Sequence, residues 1–489
     1  MTKRRRRLSF MLGSLMSLVI VLTACGGAGS TGEGSEGEKP VELIWYTIGT
    51  PQKDVDKVME EVSKYTLDKI NATVTMKMVD WGDYPQKMQV NVASGEPMDI
   101  LFTASGGFDY VQNARKGAFL ELDELLTQYG KELTQAVDPA FLSGSKVDGH
   151  NYGIPANKEL PQQEVWRFNK TLLYKYNLDF SNVRTLDSLE PLLKVIKENE
   201  PTVTAFSMDK QYVPYVPYDY IIQNLPMAVK LDTKDYKIVN ILKTDEMKQA
   251  LRTMHKYYKA GYVSPEAATT GSTNDLTTSG NWFLDRAQTQ PMADNLWSAS
   301  YGYPVVSIPA SDAIITNTSV QGSIMAISAN SEYPEKAMEF LNLLNTDPVL
   351  RNMVDSGIEG VHYQMIDDTH MENLAESKNY DMPSYSLGNN MLLNLNANDP
   401  DDKWEQFKKF NAEGVNSPIL SFNFDASKVS TELAAVQNVK EQYWAALMTG
   451  TLNPDEHLEK VVEKFNEAGL EKIMAEAQVQ LEAWTAGSQ

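Results

Sequence analysis

Short apolar runs alternate with amphipathic stretches along the first third of the chain. Val41–Tyr46 (VELIWY) has the density of a buried strand. From Asp54 to Ile70 the apolar positions Val55, Val58, Met59, Val62, Leu67 and Ile70 recur at helical spacing. Ala72–Val79 alternates with the two-residue period of a strand, Tyr84–Ala93 returns to a helix, and Asp99–Phe102 is another buried strand before a Gly-Gly turn. Strands separated by helices predict parallel βαβ units, and so an α/β fold.

Further along, Asn169–Tyr176 and Thr185–Lys197 read as helices, the second capped by Thr185. The segment 211–220 (QYVPYVPYDY) is too rich in proline to be a regular helix. Glu246–Ala260 is an amphipathic helix stopped by Gly261. Strands are predicted at Tyr303–Pro309 and Gly322–Ser328, and a helix at Tyr333–Asn345. The last sixty residues are helical in pattern, broken at Gly450 and Asn453-Pro454.

The N-terminus has a different pattern. A basic cluster from Lys3 to Arg7 precedes an apolar run, Leu8–Leu22, that closes on Thr23-Ala24-Cys25. This is the order of a secretory signal, and the run is shorter than the ~20 residues a spanning helix needs. A cysteine after Leu-Thr-Ala resembles the lipobox of bacterial lipoproteins. The resemblance implies diacylglycerol on the Cys25 sulfur and cleavage before it, with residues 1–24 as signal peptide. Residues 25–40, rich in Gly, Ser and Glu, read as a flexible tether.

Composition narrows the partners. Without Lys3–Arg7, 39 basic side chains face 65 acidic ones, a net charge of about −26. That charge disfavours nucleic acid and anionic lipid surfaces but leaves neutral ligands open. Cys25 is the only cysteine, so no disulfide holds the fold. The lipid anchor is the only membrane contact expected, and a monomer is the expected state.

Three segments carry a wider resemblance. Met98-Asp-Ile-Leu-Phe-Thr-Ala-Ser-Gly-Gly-Phe-Asp109, followed by Gly117-Ala-Phe-Leu-Glu-Leu122, resembles the first-lobe motif of family 1 extracellular solute-binding proteins, the maltose-binding group. Tyr152-Gly-Ile-Pro-Ala-Asn157 with Phe168-Asn-Lys170 looks like the first crossover between lobes. Val320–Leu344, with Pro334-Glu-Lys-Ala-Met-Glu-Phe-Leu341, is similar to the segment that returns to the first lobe. The stretch from Ser417 onward resembles a C-terminal module of Gram-positive lipoproteins in this family. The resemblance implies a two-lobe, type II periplasmic-binding-protein-like α/β fold with an interlobe ligand cleft. Crossovers are expected near Pro155, Pro309 and Gly357. Lobe 1 would comprise 41–155 plus 311–355, and lobe 2 would comprise 156–310 plus 356–489, with 415–489 as the C-terminal module. It also implies a surface protein that hands its solute to the permease subunits of an ABC importer.

A neutral sugar offers an apolar C–H face and a polar rim, so its site needs aromatic surface and short polar groups. The aromatic candidates are Trp45, Tyr46, Phe108, Tyr215, Tyr218, Trp282, Trp297 and Phe424. The polar candidates are Thr103, Ser105, Asp109, Asn157, Glu159 and Asp219. Asn157 stands where the maltose-binding group often has an acid, which bears on the sugar's identity. An oligosaccharide is the expected ligand.

Enzyme motifs are absent: there is no Gly-x-Ser-x-Gly elbow, no P-loop and no His-Glu-x-x-His, and the five histidines are scattered. No cofactor is expected. The stretch Asn394–Glu405 approaches a calcium loop, with oxygens at positions 1, 3, 5, 9 and 12, but has Asp399 where the sharp turn needs glycine. The competing account has Asp401 or Asp402 capping a helix from Lys403. Two other functions stay open: an extracellular, lipid-anchored glycoside hydrolase, and a ligand-independent surface sensor or adhesion protein.

Overall fold

Strand Val41–Ile48 sends alternate side chains to opposite faces, and both faces are apolar, which requires cover on both sides. Leu43 and Trp45 join a core with the helices Val55–Ile70 and Pro334–Thr346; Tyr46 and Ile48 join a second core with Tyr84, Met88 and Phe119. The computed structural model describes residues 39–487, so the expected signal peptide, Cys25 and nearly all of the expected tether lie outside the described residues.

This first-lobe sheet has the order Ala72–Val79, Val41–Ile48, Ile100–Thr103, Ile324–Ile327, Ile154–Pro155. Val41–Ile48 pairs in parallel with both neighbours, as the βαβ pattern predicts. Ile324–Ile327, from far along the chain, is inserted antiparallel beside Ile100–Thr103.

The second-lobe sheet has the order Val305–Pro309, Gln163–Asn169, Trp282–Thr289, Thr204–Phe206. Its core holds Phe168, Phe206, Phe283 and Tyr257. A fourth core joins the small sheet Tyr218–Tyr220, Met227–Lys230, Ile238–Asn240 to the C-terminal helices Ser430–Met448, Pro454–Glu467 and Leu470–Gly487. Segment 211–220 is irregular except for its last three residues, as its prolines require. The helix expected at Thr185–Lys197 begins as a 3-10 turn, Leu186–Leu189, before Glu190–Asn199.

The C-terminal helices sit on Asp245–Lys259 through Gly450. Its φ is +79°, and an added Cβ would stand 2.3 Å from the Met254 carbonyl oxygen. The Gly450 carbonyl meets His255 Nδ1 at 2.8 Å.

Crossovers are expected from the sequence near Pro155, Pro309 and Gly357, but the chain does not change sides at Gly357. Residues 358–396, grouped with the second lobe in the sequence reading, pack on the first: Tyr380, Met382 and Leu387 belong to the core around Trp45. Arg351, fully buried, donates to the Ser384 carbonyl and Asn390 Oδ1, both at 2.9 Å, and ties the segment down. The chain leaves only around 411–419. There the connecting stretches pair with one another: Gln162 and Ile314 exchange backbone hydrogen bonds of 2.8 and 2.9 Å, and Ile314–Ile315 pairs in parallel with Val415–Asn416. Asn411 adds a side-chain clasp, accepting from the Leu160 amide and donating to the Lys158 carbonyl, each at 2.8 Å.

Candidate functional site

A cleft of about 1060 Å³ opens between elements of the two lobes. One wall is first-lobe: Gly322, Tyr380, Met382, Ser384 and Tyr385. The facing wall is second-lobe: Gln290, Pro291, Met292, Asn295 and Leu296 at the start of helix Ala293–Tyr301. Lys158 and Glu159, on the first crossover, lie at the junction. A hollow of about 510 Å³ adjoins it, sharing Lys158, Glu159, Gln290, Leu296 and Gly322 and adding Trp297.

Trp297 is held by an unusual support. The Arg167 guanidinium lies 4.7 Å from its ring, 5.4 Å from Tyr301 and 5.5 Å from Trp282. Arg167 is itself fixed by Asp285, Nε to Oδ1 2.9 Å, on the neighbouring strand; both side chains are about nine-tenths buried. The indole facing the cleft therefore rests on a rigid plane rather than on solvent.

The rest of the lining suits a neutral polyhydroxylated ligand. Asn295, Asn373, Asn390, Asn394, Asn396 and Asn398 supply amides that donate and accept, and Tyr385 and Trp404 supply ring faces. Tyr385 stacks on Trp81, centroids 6.2 Å apart, and both rings are about two-fifths exposed (41% and 42%). Trp404 donates to the Leu393 carbonyl at 2.7 Å. Met292 takes φ +67°, a left-handed conformation rare for a long side chain, where the chain turns into the cleft helix.

Of the residues proposed from sequence, Glu159 and Trp297 line this cleft. Tyr215, Tyr218 and Asp219 line a smaller neighbouring hollow. Asp219 bonds the Ser417 hydroxyl, and burial lifts its pKa to about 6, the Ser417 bond working the other way.

The other candidates are structural. Trp45 is fully buried against Phe340, and Tyr46 is buried under Lys77, because strand Val41–Ile48 is covered on both faces. Trp282 is fully buried and donates to the Tyr303 hydroxyl at 2.6 Å. Thr103 spends its hydroxyl on the Phe108 carbonyl, and Phe108 packs on Phe119. Asp109 caps helix Tyr110–Arg115 through the Gln112 amide at 2.7 Å, with its pKa raised by burial. Ser105 is exposed and is not among the cleft-lining residues, its amide bonded to the Gln321 carbonyl. Asn157 is buried, and its carbonyl accepts from the Asn390 amide at 2.9 Å. Phe424 packs on the C-terminal helices.

At the calcium-like stretch, the Asp399 carboxylate accepts from Lys403 Nζ at 2.8 Å and the Asn396 amide at 2.9 Å, so a lysine takes the position of a cation. Asp402 precedes helix Lys403–Glu413 without a side-chain cap bond, and Asp401 does not cap it either. Among the described residues the one close metal-type cluster, Glu121, Asp123 and His150, is a largely exposed group elsewhere.

Two lobes with crossing strands between them and a polar, aromatic cleft define a solute-binding architecture. Residues 51–349 match the family model described as bacterial extracellular solute-binding protein, and 418–486 match a domain of unknown function, DUF3502. The chain belongs to the bacterial extracellular solute-binding protein family. Over 488 residues it is 35% identical to a carbohydrate ABC transporter substrate-binding protein of Streptococcus pneumoniae serotype 4, covering 98% of each chain. It superposes with a TM-score of 0.85, at 34% identity, on the N-glycan transport solute-binding protein NgtS of Streptococcus pneumoniae, covering 92% of this chain and 100% of that one. Against NgtS in complex with Man1GlcNAc and with Man5GlcNAc the scores are 0.74 and 0.71. An HMO-binding solute-binding protein of Bifidobacterium longum infantis, 17% identical with a TM-score of 0.65 over 92% of this chain and 99% of that one, shares the fold.

Proposed function

We propose that this protein is the substrate-binding component of an ABC importer and captures an extracellular oligosaccharide between its lobes. The observation that carries the reading is the cleft itself, with Trp297 on a fixed plane, Tyr385 and Trp404 as further ring faces, and a row of asparagine amides between them. Glycans built of mannose and N-acetylglucosamine are the first ligands to try, since the full-length relative with the same fold is described with them.

The protein captures its ligand and does not cleave it. Of the four cleft carboxylates three are ion-paired, Glu159 with Lys158 at 2.6 Å, Asp355 with Arg351 at 3.0 Å and Asp399 with Lys403 at 2.8 Å, which leaves Asp381 as the one without an ion pair. A glycosidase acid needs the opposite setting, a carboxyl kept protonated. Anchoring through diacylglycerol on Cys25, after removal of residues 1–24, would hold the protein as a monomer on the outer face of the membrane near its permease. The lobe division in this reading is 41–155 with 311–396 against 156–310, with the C-terminal module from 415 on the second lobe.

Thermal unfolding of the protein lacking residues 1–25, against mono- and oligosaccharides, amino acids and peptides, tests this. A ligand at 100 times its dissociation constant adds about 2.7 kcal/mol, a rise of roughly two degrees or more in Tm. A shift confined to saccharides, lost in Trp297→Ala, is the expected result. Stability unmoved by every saccharide would sink the carbohydrate reading.

A further inference from the structure

Next to the cleft is a third hollow, about 250 Å³, that the reading above leaves unused. It adjoins the part of the cleft under Trp297, sharing Gln162 and Gln288 with it. Its lining includes two charged side chains from neighbouring strands, Arg286 and Glu164, with Nε and Oε2 3.1 Å apart and each partly open to solvent. Gln288 donates to Glu164 Oε1 at 3.4 Å, and the Tyr212 ring lies 5.0 Å from the guanidinium. Tyr215 and Tyr218 supply aromatic wall.

The chemistry of this lining is selective. A guanidinium beside a carboxylate presents donors and acceptors together, and the other carboxyl group of the lining, Asp219, accepts from the Ser417 hydroxyl. Adjacent hydroxyls of a pyranose ring each donate and accept, so a diol can bond both members of the pair. A uronate would set its carboxylate beside Glu164 and compete with it for Arg286, and an apolar group would desolvate the pair without offering it a hydrogen bond. Tyrosine faces suit the C–H side of a ring. The volume admits one ring, whereas the cleft admits several.

We propose that this hollow is an end subsite that takes one neutral hexose of a longer glycan and reads its vicinal hydroxyls with the Arg286–Glu164 pair. The proposal rests on the carbohydrate reading above. It makes affinity depend on chain length, because a short glycan held under Trp297 does not reach the hollow.

The test is calorimetric titration of the wild type, Glu164→Gln and Gln223→Trp with Man1GlcNAc and Man5GlcNAc. Gln223 is exposed and lines the hollow, its amide donating to the Thr318 hydroxyl at 3.2 Å and not to the charged pair, so an indole there fills the hollow and leaves that pair in place. The wild type should bind Man5GlcNAc at least about 10-fold tighter than Man1GlcNAc, and each variant should lose about 10-fold on Man5GlcNAc while staying within about 2-fold on Man1GlcNAc. Equal losses on both glycans, no loss on either, or no gain with length in the wild type overturns the subsite. A wild type that binds neither glycan, nor any saccharide in the thermal screen, overturns the carbohydrate reading and the subsite with it. Unfolding curves of the ligand-free variants separate misfolding from lost contacts, and the two substitutions act by unrelated routes.

Discussion

Arg167 decides how well Trp297 can serve the cleft, because one guanidinium supports three rings and one buried carboxylate. Arg167→Met leaves Asp285 buried without its partner, which should cost about 3–5 kcal/mol. Arg167→Lys keeps the charge without the planar fork and should fall between, with weakened saccharide binding in both; thermal unfolding and titration check it. Asp219 sets a pH dependence. Its folded pKa of about 6 exceeds the ordinary carboxylate value, so the folded state holds the proton more tightly than the unfolded one. Stability therefore falls as pH rises from about 4 to 6 and is flat above, and Asp219→Asn should remove about 1–3 kcal/mol of that slope, read from Tm at pH 4, 5, 6 and 7. Only part of this site was legible in the chain's letters. Trp297 was, as one of the aromatics a sugar site needs, whereas Trp45 and Trp282 differ from it only in which way their elements face. Tyr385 and Trp81 became a pair through a contact spanning some three hundred residues, and the left-handed Met292 has no sequence signature at all.

At the level of elements, periodicity was a good guide wherever a segment has one buried face or two. Strand Val41–Ile48 and helices Val55–Ile70, Asp245–Lys259 and Pro334–Thr346 lie within a few residues of where their patterns put them. Segment 358–396 escaped because it has little regular structure, only short strands and 3-10 turns, and so no period to read. What fixes it is tertiary: Arg351 underneath, and Tyr380 and Leu387 in the first-lobe core. The seat of the C-terminal helices is likewise a contact rather than a pattern. Gly450→Ala would force a methyl group to within 2.3 Å of the Met254 carbonyl at a left-handed backbone position, so the helices must lift from Asp245–Lys259. A loss of at least about 2 kcal/mol is expected. Amide exchange would locate it, with faster exchange in Pro454–Glu467 than in the first-lobe strands.

Across the whole molecule, the lobes are joined by stretches that pair with one another near Gln162, Ile314 and Val415, not by separate linkers. A ribbon of this kind resists shear but bends about its own axis, since rotation there need not break the backbone bonds that hold it. The cleft it spans exposes rings and amides on both walls, and a bound glycan would bond both at once, favouring the closed arrangement over the open one by its contacts with the second wall. On the proposed reading, a saturating saccharide should therefore contract the protein in solution. Small-angle scattering would show the radius of gyration, about 23 Å for a compact chain of this length, falling by roughly 0.5–1 Å. Trp297→Ala, which removes a ring from one wall, should leave the radius unchanged at the same glycan concentration. A radius that stays constant in the wild type while calorimetry shows the glycan bound would mean that the ligand is held by one lobe alone, and the paired crossings would then be a rigid strut.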